Sequence, residues 1–100
     1  MTVKTEWQLY LLDCDGRLYT GISTDPARRL EEHRAGKSRG ARFTRGSRQL
    51  QLIWQVHVGN RSLAQAAEHR LRRLPRDRKL AIAHQASDWE QLSRLLFPER

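Results

Sequence analysis

The pair Asp15 and Gly16, set between two apolar segments, constrains the fold of this chain more than any other short feature. WQLYLLDC (7–14) precedes the pair and RLYTGIS (17–23) follows it. Asp-Gly favours a two-residue hairpin turn, because both residues tolerate a positive φ. Two antiparallel strands are therefore predicted over 7–14 and 17–23.

A helix is predicted to follow the hairpin, from about residue 26 to residue 35. Asp25 has the side chain of a helix N-cap, and Pro26 suits the first helical position. Gly36 marks the end of this helix, because glycine accepts the left-handed conformation that closes many helices. The basic, glycine-rich segment 36–48 has no hydrophobic period and is interpreted as a loop.

The remaining segments complete one small α+β domain over 1–100. Residues 50–58 alternate in hydrophobicity and are rich in branched and aromatic side chains, which predicts a third strand. Three helices follow: one opened by a capping box of Ser62 and Gln65 and stopped by Pro75, a short one over 76–85, and one opened by Ser87 and Glu90. The predicted order is β-β-α-β-α-α-α, a three-stranded, mostly antiparallel sheet flanked by helices.

The charge of the chain favours a polyanionic partner. Nineteen lysines and arginines oppose eleven acidic residues, a formal net charge of +8, and sixteen of the nineteen are arginine. The planar guanidinium group matches phosphate oxygens better than an ammonium group does, so nucleic acid is the predicted partner. A genome rich in G and C would also enrich arginine, and composition alone does not separate the two explanations.

Several other classes of protein are excluded. Cys14 is the single cysteine, so neither an internal disulfide nor a cysteine-rich zinc site can form. No apolar run approaches the roughly 18–20 residues of a membrane span, and the N-terminal segment lacks the pattern of a signal peptide. We therefore expect a cytoplasmic protein with no membrane partner, and we expect it to be a monomer or a weak homodimer.

Five side chains with useful chemistry fall on the predicted elements. Tyr10 and Tyr19 lie on the two hairpin strands. Arg29 and His33 are one turn apart at the edge of the buried side of the first helix, and Glu68 borders the apolar stripe of the second. Ionisable groups at such borders are partly desolvated yet can reach a ligand. Taken singly, each residue also has an ordinary role in cross-strand packing, solvation or a surface ion pair.

Patterns for acyl transfer, zinc proteolysis and nucleotide hydrolysis are missing from the sequence. It contains no Ser-His-Asp set, no HExxH segment and no GxxxxGK[ST] loop. Phosphodiester cleavage needs an activated water, a cation near the phosphate and one hard metal ion held by a carboxylate. Tyrosine, arginine, histidine and glutamate can meet those needs.

Trp7 and Trp54 are assigned to the core.

The spacing of these residues resembles the GIY-YIG nuclease superfamily. The likeness is to its short single-domain bacterial members and to the N-terminal nuclease module of the excision-repair endonuclease. It is carried by QLY at 8–10, by YTGISTDPARRLEEH from Tyr19, by GARFTRG in the basic loop and by EHRLRRL from Glu68. It covers about residues 7–83, leaving a predicted helical tail over 84–100.

The resemblance implies a role for each of the five side chains. Tyr10 and Tyr19 would flank the attacking water and the scissile phosphate, one of them as general base. Arg29 would bind the phosphate and stabilise its charge, and His33 would either hydrogen-bond a tyrosine hydroxyl or relay its proton. Glu68 would be the protein ligand of one Mg²⁺ or Mn²⁺ ion. Contacts with nucleic acid are assigned to Gly21, Lys37, Arg39, Arg42, Arg45 and Arg72.

Two positions depart from the family pattern. Gln8 stands in place of the first glycine of the motif, which is acceptable if this strand needs no special backbone angle. The asparagine found late in many larger members has no clear counterpart in this chain, and Lys79 and Asn60 are the two candidates for its place.

The expected function is metal-dependent endonuclease cleavage of DNA, with RNA as the other candidate substrate, in DNA repair or processing. We expect weak sequence specificity and a preference for nicked, branched or single-stranded DNA, since no recognition domain adjoins the candidate centre. Two alternatives stay open: a nucleic-acid-binding module with a degenerate nuclease centre, and an interaction subunit that binds a protein through its arginines.

Overall fold

The structure, a computed structural model, describes residues 6–35 and 49–99, and its elements follow the predicted order. Strands β1 (Trp7–Cys14) and β2 (Arg17–Ser23) are followed by helix α1 (Pro26–Arg34) and strand β3 (Leu50–Gly59). Helices α2 (Arg61–Arg72), α3 (Arg76–Gln85) and α4 (Trp89–Leu96) complete the fold. The predicted α+β class is confirmed. None of the helices in the two described ranges is long and apolar enough to cross a membrane.

The three strands form one antiparallel sheet with β1 in the centre. The hairpin turn is the predicted one, since Asp15 has a φ of 56° and Gly16 a φ of 94°. In the resulting register, Tyr10 lies opposite Gly21. Tyr19, two residues before Gly21, is therefore a diagonal neighbour of Tyr10 on the same face of the sheet.

The sheet separates two hydrophobic cores. In the main core, Leu9 and Leu11 of β1 pack with buried residues of α2, α3 and α4. The alternate residues Tyr10 and Leu12 face the other way, into a smaller core against which Leu30 of α1 packs. Helix α1 thus covers one face of the sheet and the later helices cover the other. Because α1 packs on the face of the tyrosines, its side chains can reach them.

A bulge in β3 distributes its apolar residues between the two cores. The alternation of residues 50–58 predicts one buried face, but consecutive β1 residues pair with Leu52 and Trp54, so Ile53 is an extra residue on this strand. An extra residue reverses the direction of the side chains that follow it. Leu52 therefore packs against the smaller core and Trp54 against the main core. Ile53 remains 40% exposed.

Two helices begin at residues other than the predicted capping boxes. Asn60 caps α2 by accepting a backbone N–H at 3.1 Å, so this helix starts before Ser62. Asp88 caps α4 in the same way, with a distance of 2.9 Å. Asparagine and aspartate are N-caps at least as good as serine, which explains both shifts. Asp25 and Pro26 open α1 as predicted.

Candidate active site

Tyr10 and Tyr19 present their rings on the face of the sheet that α1 covers. Their ring centroids are 6.5 Å apart and their planes are tilted by 42°. Tyr10 is 1% exposed and belongs to the smaller core. Tyr19 is half-buried and packs against the buried side chains of that core. Of the two phenols, Tyr19 is therefore the one that a large ligand reaches first.

His33 of α1 lies beside both tyrosines. Its Nε2 is 3.5 Å from the Tyr10 hydroxyl. Its ring meets the Tyr19 ring edge-on, with centroids 4.8 Å apart. Helical spacing predicts His33 at the edge of the buried side, but the residue is only 2% exposed. The two tyrosine rings supply the contacts that bury it.

Arg29 reaches the same group of side chains from one turn earlier in α1. Its Nη1 donates to Oε1 of Glu32 at 3.1 Å, and the Arg29 side chain is 31% exposed. Arg28 shares Glu32, with 3.4 Å between its Nε and the second carboxylate oxygen. Arg29 also interacts with the Tyr10 hydroxyl. The guanidinium group of Arg29 thus interacts with both Tyr10 and Glu32.

Glu68 approaches the tyrosines from the opposite layer of the fold. It follows Ala67, which is buried in the main core, and is itself half-buried at the border of α2. Burial is the main cause that raises the pKa of Tyr19, and the charge of Glu68 is the next. After burial and Tyr19, the same charge also contributes to the raised pKa of Tyr10. The charge of this carboxylate therefore acts on both phenols.

The protonation states of these groups follow from their burial. Burial raises the pKa of Tyr10, while the positive charge of Arg29 opposes the rise. Burial lowers the pKa of His33 below its ordinary value; repulsion by Arg29 adds to the shift and Glu32 opposes it. At neutral pH the phenols are therefore protonated and the imidazole is neutral. A neutral imidazole beside a hydroxyl group can accept its proton.

Gly21 leaves the space that the Tyr10 hydroxyl occupies. A Cβ atom at position 21 would lie 2.5 Å from this oxygen and 2.6 Å from the ring carbon that carries it. We expect Gly21→Ala to lower the free energy of unfolding by about 1–3 kcal/mol, because overpacking displaces a core side chain. Urea unfolding measures the loss. Adding Tyr10→Leu, which removes both the oxygen and this ring carbon, should make the loss smaller; an equal loss in both backgrounds would contradict the steric explanation.

The positions assigned to nucleic-acid contact are only partly described. Arg72, in the last turn of α2, lies near Tyr19, because its charge opposes the rise in the Tyr19 pKa that burial causes. Lys79 of α3 is half-buried, and burial followed by the charge of Arg72 lowers its pKa. Arg72 thus places a positive charge beside Tyr19, and Lys79 is a neighbour of Arg72. Four further predicted positions lie outside the described residues: Lys37, Arg39, Arg42 and Arg45.

Gln8 is accommodated in β1 without backbone strain. It lies in the extended strand opposite Ser23, and among the described residues other than glycine only Asp15 has a positive φ. The Gln8 side chain accepts a hydrogen bond from Gln55 of β3 at 3.1 Å. The departure from the family motif at this position therefore leaves Tyr10 in its place on the strand.

The segment of the chain that contains these five side chains matches one protein family. Residues 6–81 match the family described as the GIY-YIG catalytic domain. The chain belongs to the GIY-YIG family. The match spans β1 to α3 and so includes all five clustered side chains. The predicted resemblance to this family is confirmed.

Similar proteins match this chain over almost its whole length. The UPF0213 protein YhbQ of Escherichia coli strain K12 is 44% identical over 97 residues, which is 95% of each chain. The protein of the same name from Shigella boydii serotype 18 has the same identity and coverage. The solution NMR structure of the UPF0213 protein BH0048 from Bacillus halodurans is 29% identical, with a TM-score of 0.51, covering 91% of this chain and 96% of that one. The names of these relatives state no activity.

Glu32 and Lys79 join the site without a motif that predicts their roles. The position of Glu32, three residues after Arg29 and four after Arg28, is itself a signal, because side chains at these helical spacings are neighbours. Lys79 is one of the two candidates for the missing asparagine, but no local signal in the sequence places it beside Arg72. Its approach to Arg72 depends on how the chain turns between α2 and α3, which is a property of the tertiary fold.

Proposed function

We propose that this chain is an endonuclease that hydrolyses phosphodiester bonds in DNA, in DNA repair or processing. The observation that carries the proposal is the approach of five side chains from four separate elements: Tyr10, Tyr19, Arg29, His33 and Glu68. Membership of the GIY-YIG family supports nuclease chemistry. The formal net charge of +8 supports a polyanionic substrate.

Arg29 is suited to bind the scissile phosphate. Its Nη1 is held by Glu32, whereas its buried Nε has no hydrogen-bond partner in the part of the chain that the structure describes. A buried donor without a partner is unfavourable, and an anionic oxygen would satisfy it with a charge-assisted hydrogen bond. The same guanidinium would stabilise the negative charge that grows on the phosphate during attack.

One Mg²⁺ or Mn²⁺ ion fits the donors near the tyrosines. Over residues 6–35 and 49–99, no three His, Cys, Asp or Glu side chains gather into a metal-binding group. Mg²⁺ does not require such a group, because it retains several waters and binds through one or two carboxylates together with substrate phosphates. Glu68 would hold the ion, which would supply positive charge beside the phosphate.

Tyr10 and His33 provide a route for the proton of the attacking water. The Tyr10 hydroxyl can accept this proton while it passes its own to Nε2 of His33, 3.5 Å away. The transfer is possible at neutral pH because burial lowers the pKa of His33 and keeps the imidazole free to accept. Half-buried Tyr19 would orient the water or the phosphate at the mouth of the site.

Incubation of the wild-type protein with labelled nucleic acids tests the proposal. We expect cleavage of DNA in Mg²⁺ or Mn²⁺, loss of cleavage in chelator, and little dependence on sequence. Single-stranded, nicked, branched and duplex DNA, with RNA beside them, define the preferred substrate. Binding that weakens steeply with salt but leads to no cleavage would identify a nucleic-acid-binding module instead.

A further inference from the structure

Arg29 also lines a cavity where β2 leads into α1. The volume of this cavity is about 240 Å³. At ~30 Å³ per molecule this equals about eight waters, enough for one planar ring system. Apolar walls come from Trp7 and Ile22, and polar groups come from Ser23, Asp25 and Glu32. Arg29 therefore contacts both the cavity and the tyrosine cluster.

Trp7 lines this cavity and belongs to neither hydrophobic core. Its assignment to the core from sequence is therefore wrong: it is half-buried at the start of β1. The guanidinium carbon of Arg61 lies 5.1 Å from the centroid of its ring. An aromatic ring that is partly open to solvent and packed against an arginine is a surface on which nucleobases stack.

The charges around the cavity suit a base better than a phosphate. Glu32 pairs with both Arg28 and Arg29 through its two carboxylate oxygens. Asp25 adds a second carboxylate to the wall. Two carboxylates therefore balance two arginines, and a phosphate here would meet no net positive charge. The exocyclic amino group of a base, in contrast, can donate hydrogen bonds to carboxylate oxygens.

We propose that this cavity binds the base of the nucleotide adjoining the phosphate that Arg29 holds. The inference rests on the proposed function and adds a substrate-binding site to it. Trp7 supplies the stacking surface, and the two carboxylates favour bases with an exocyclic amino group, so cytosine binds in preference to thymine. A base held inside a duplex cannot enter, and the cavity therefore selects an unpaired nucleotide.

A series of single-stranded oligonucleotides tests this binding site. Each carries one deoxyribose without a base, moved stepwise along the strand, and dissociation constants are measured by fluorescence anisotropy in chelator, where no cleavage occurs. In the wild type, removing the base at one position should weaken binding about tenfold, which is within the range for one base–aromatic stack. In Trp7→Ala the same removal should change binding less than about twofold, and Trp7→Phe should retain most of the wild-type effect.

A matched control uses the exposed apolar side chain of Ile53 on β3. Ile53→Ala should show the same position-dependent loss as the wild type. Urea unfolding verifies that all three variants fold. Equal effects at every position, or an unchanged effect in Trp7→Ala, would overturn the binding site while leaving metal-dependent cleavage intact. Position-dependent binding without any cleavage would instead overturn the proposed hydrolysis and retain the base site.

Discussion

Replacing Glu68 with glutamine is expected to slow Mg²⁺-dependent cleavage about a thousandfold. Glutamine has nearly the same volume and keeps one carbonyl oxygen, but it lacks the negative charge that a hard cation prefers. A thousandfold change corresponds to about 4 kcal/mol of transition-state stabilisation, which is in the range of a catalytic metal ion. Single-turnover cleavage of labelled DNA, measured across a series of Mg²⁺ concentrations, gives the rate. Electron paramagnetic resonance of Mn²⁺, in the presence of a DNA analogue that cannot be hydrolysed, gives the affinity for the ion independently.

The effect of Glu68 on the pKa of Tyr19 excludes one other explanation for a loss of activity in this variant. Burial and then the charge of Glu68 raise the pKa of Tyr19, so removing that charge should make this phenol ionise more readily. A loss of activity in Glu68→Gln therefore cannot come from a smaller ionised fraction of Tyr19. Spectroscopic titration of tyrosine in the variant should show a lower pKa for Tyr19, together with the weaker binding of Mn²⁺.

Glu90 offers a matched control for the same substitution. It is also a helical glutamate, with 75% of its side chain exposed and an ion pair to Arg94 at 3.2 Å. Glu90→Gln should cleave DNA at the wild-type rate, because this residue lies in α4 and does not act on the tyrosines. Wild-type cleavage and unchanged Mn²⁺ affinity in Glu68→Gln would remove Glu68 from the site.

The hairpin and the start of α1 follow from residues close together in the chain. Asp15 and Gly16 adopt the positive φ values that their residue types permit, and this fixes a two-residue turn. Asp25 accepts the backbone N–H three residues later, at 3.2 Å, and Pro26 occupies the first helical position. Since each feature depends on interactions within a few residues, a single sequence is sufficient to predict it.

The division of β3 between two cores is not a local property. Its alternating sequence is compatible with one buried face, and nothing near Ile53 in the chain indicates a bulge. The bulge arises because β1 is covered on both faces, so β3 beside it must supply apolar side chains to each core. Leu52 and Trp54 consequently face opposite layers. Such a requirement depends on how helices pack after the sheet has formed.

The candidate site shows the same distinction. The family resemblance predicts one site made of Tyr10, Tyr19, Arg29, His33 and Glu68. The structure places these side chains near one another. Resemblance does not predict that His33 is almost fully buried, since this depends on the two rings packed around it. Nor does it predict that Trp7 lines a cavity, which results from the path of the chain between β2 and α1.

Arg29→Ala is expected to slow cleavage about 10²–10³-fold, the usual effect of removing one preorganised donor to transition-state charge. The loss should fall mainly on the rate of the chemical step. Affinity for DNA should weaken by no more than about tenfold, because the +8 charge of the chain contributes many other contacts to phosphates. Single-turnover rates and anisotropy titrations in chelator separate the two quantities. Arg29→Lys, which keeps the charge but not the planar fork of donors, should recover only part of the rate.

Arg29→Ala should leave the fold intact. A change in the rate of cleavage can therefore be attributed to the missing side chain. Arg29 pairs with Glu32, but Arg28 pairs with the same carboxylate and remains in the variant. Partly exposed helical ion pairs contribute less than about 1 kcal/mol, so the urea midpoint should change little. Arg94→Ala removes a comparable helical ion pair, to Glu90 in α4, and should leave cleavage unchanged. If both alanine variants lose the same fraction of activity, Arg29 acts through overall charge or stability. If Arg29→Ala alone loses it, the guanidinium acts on the phosphate.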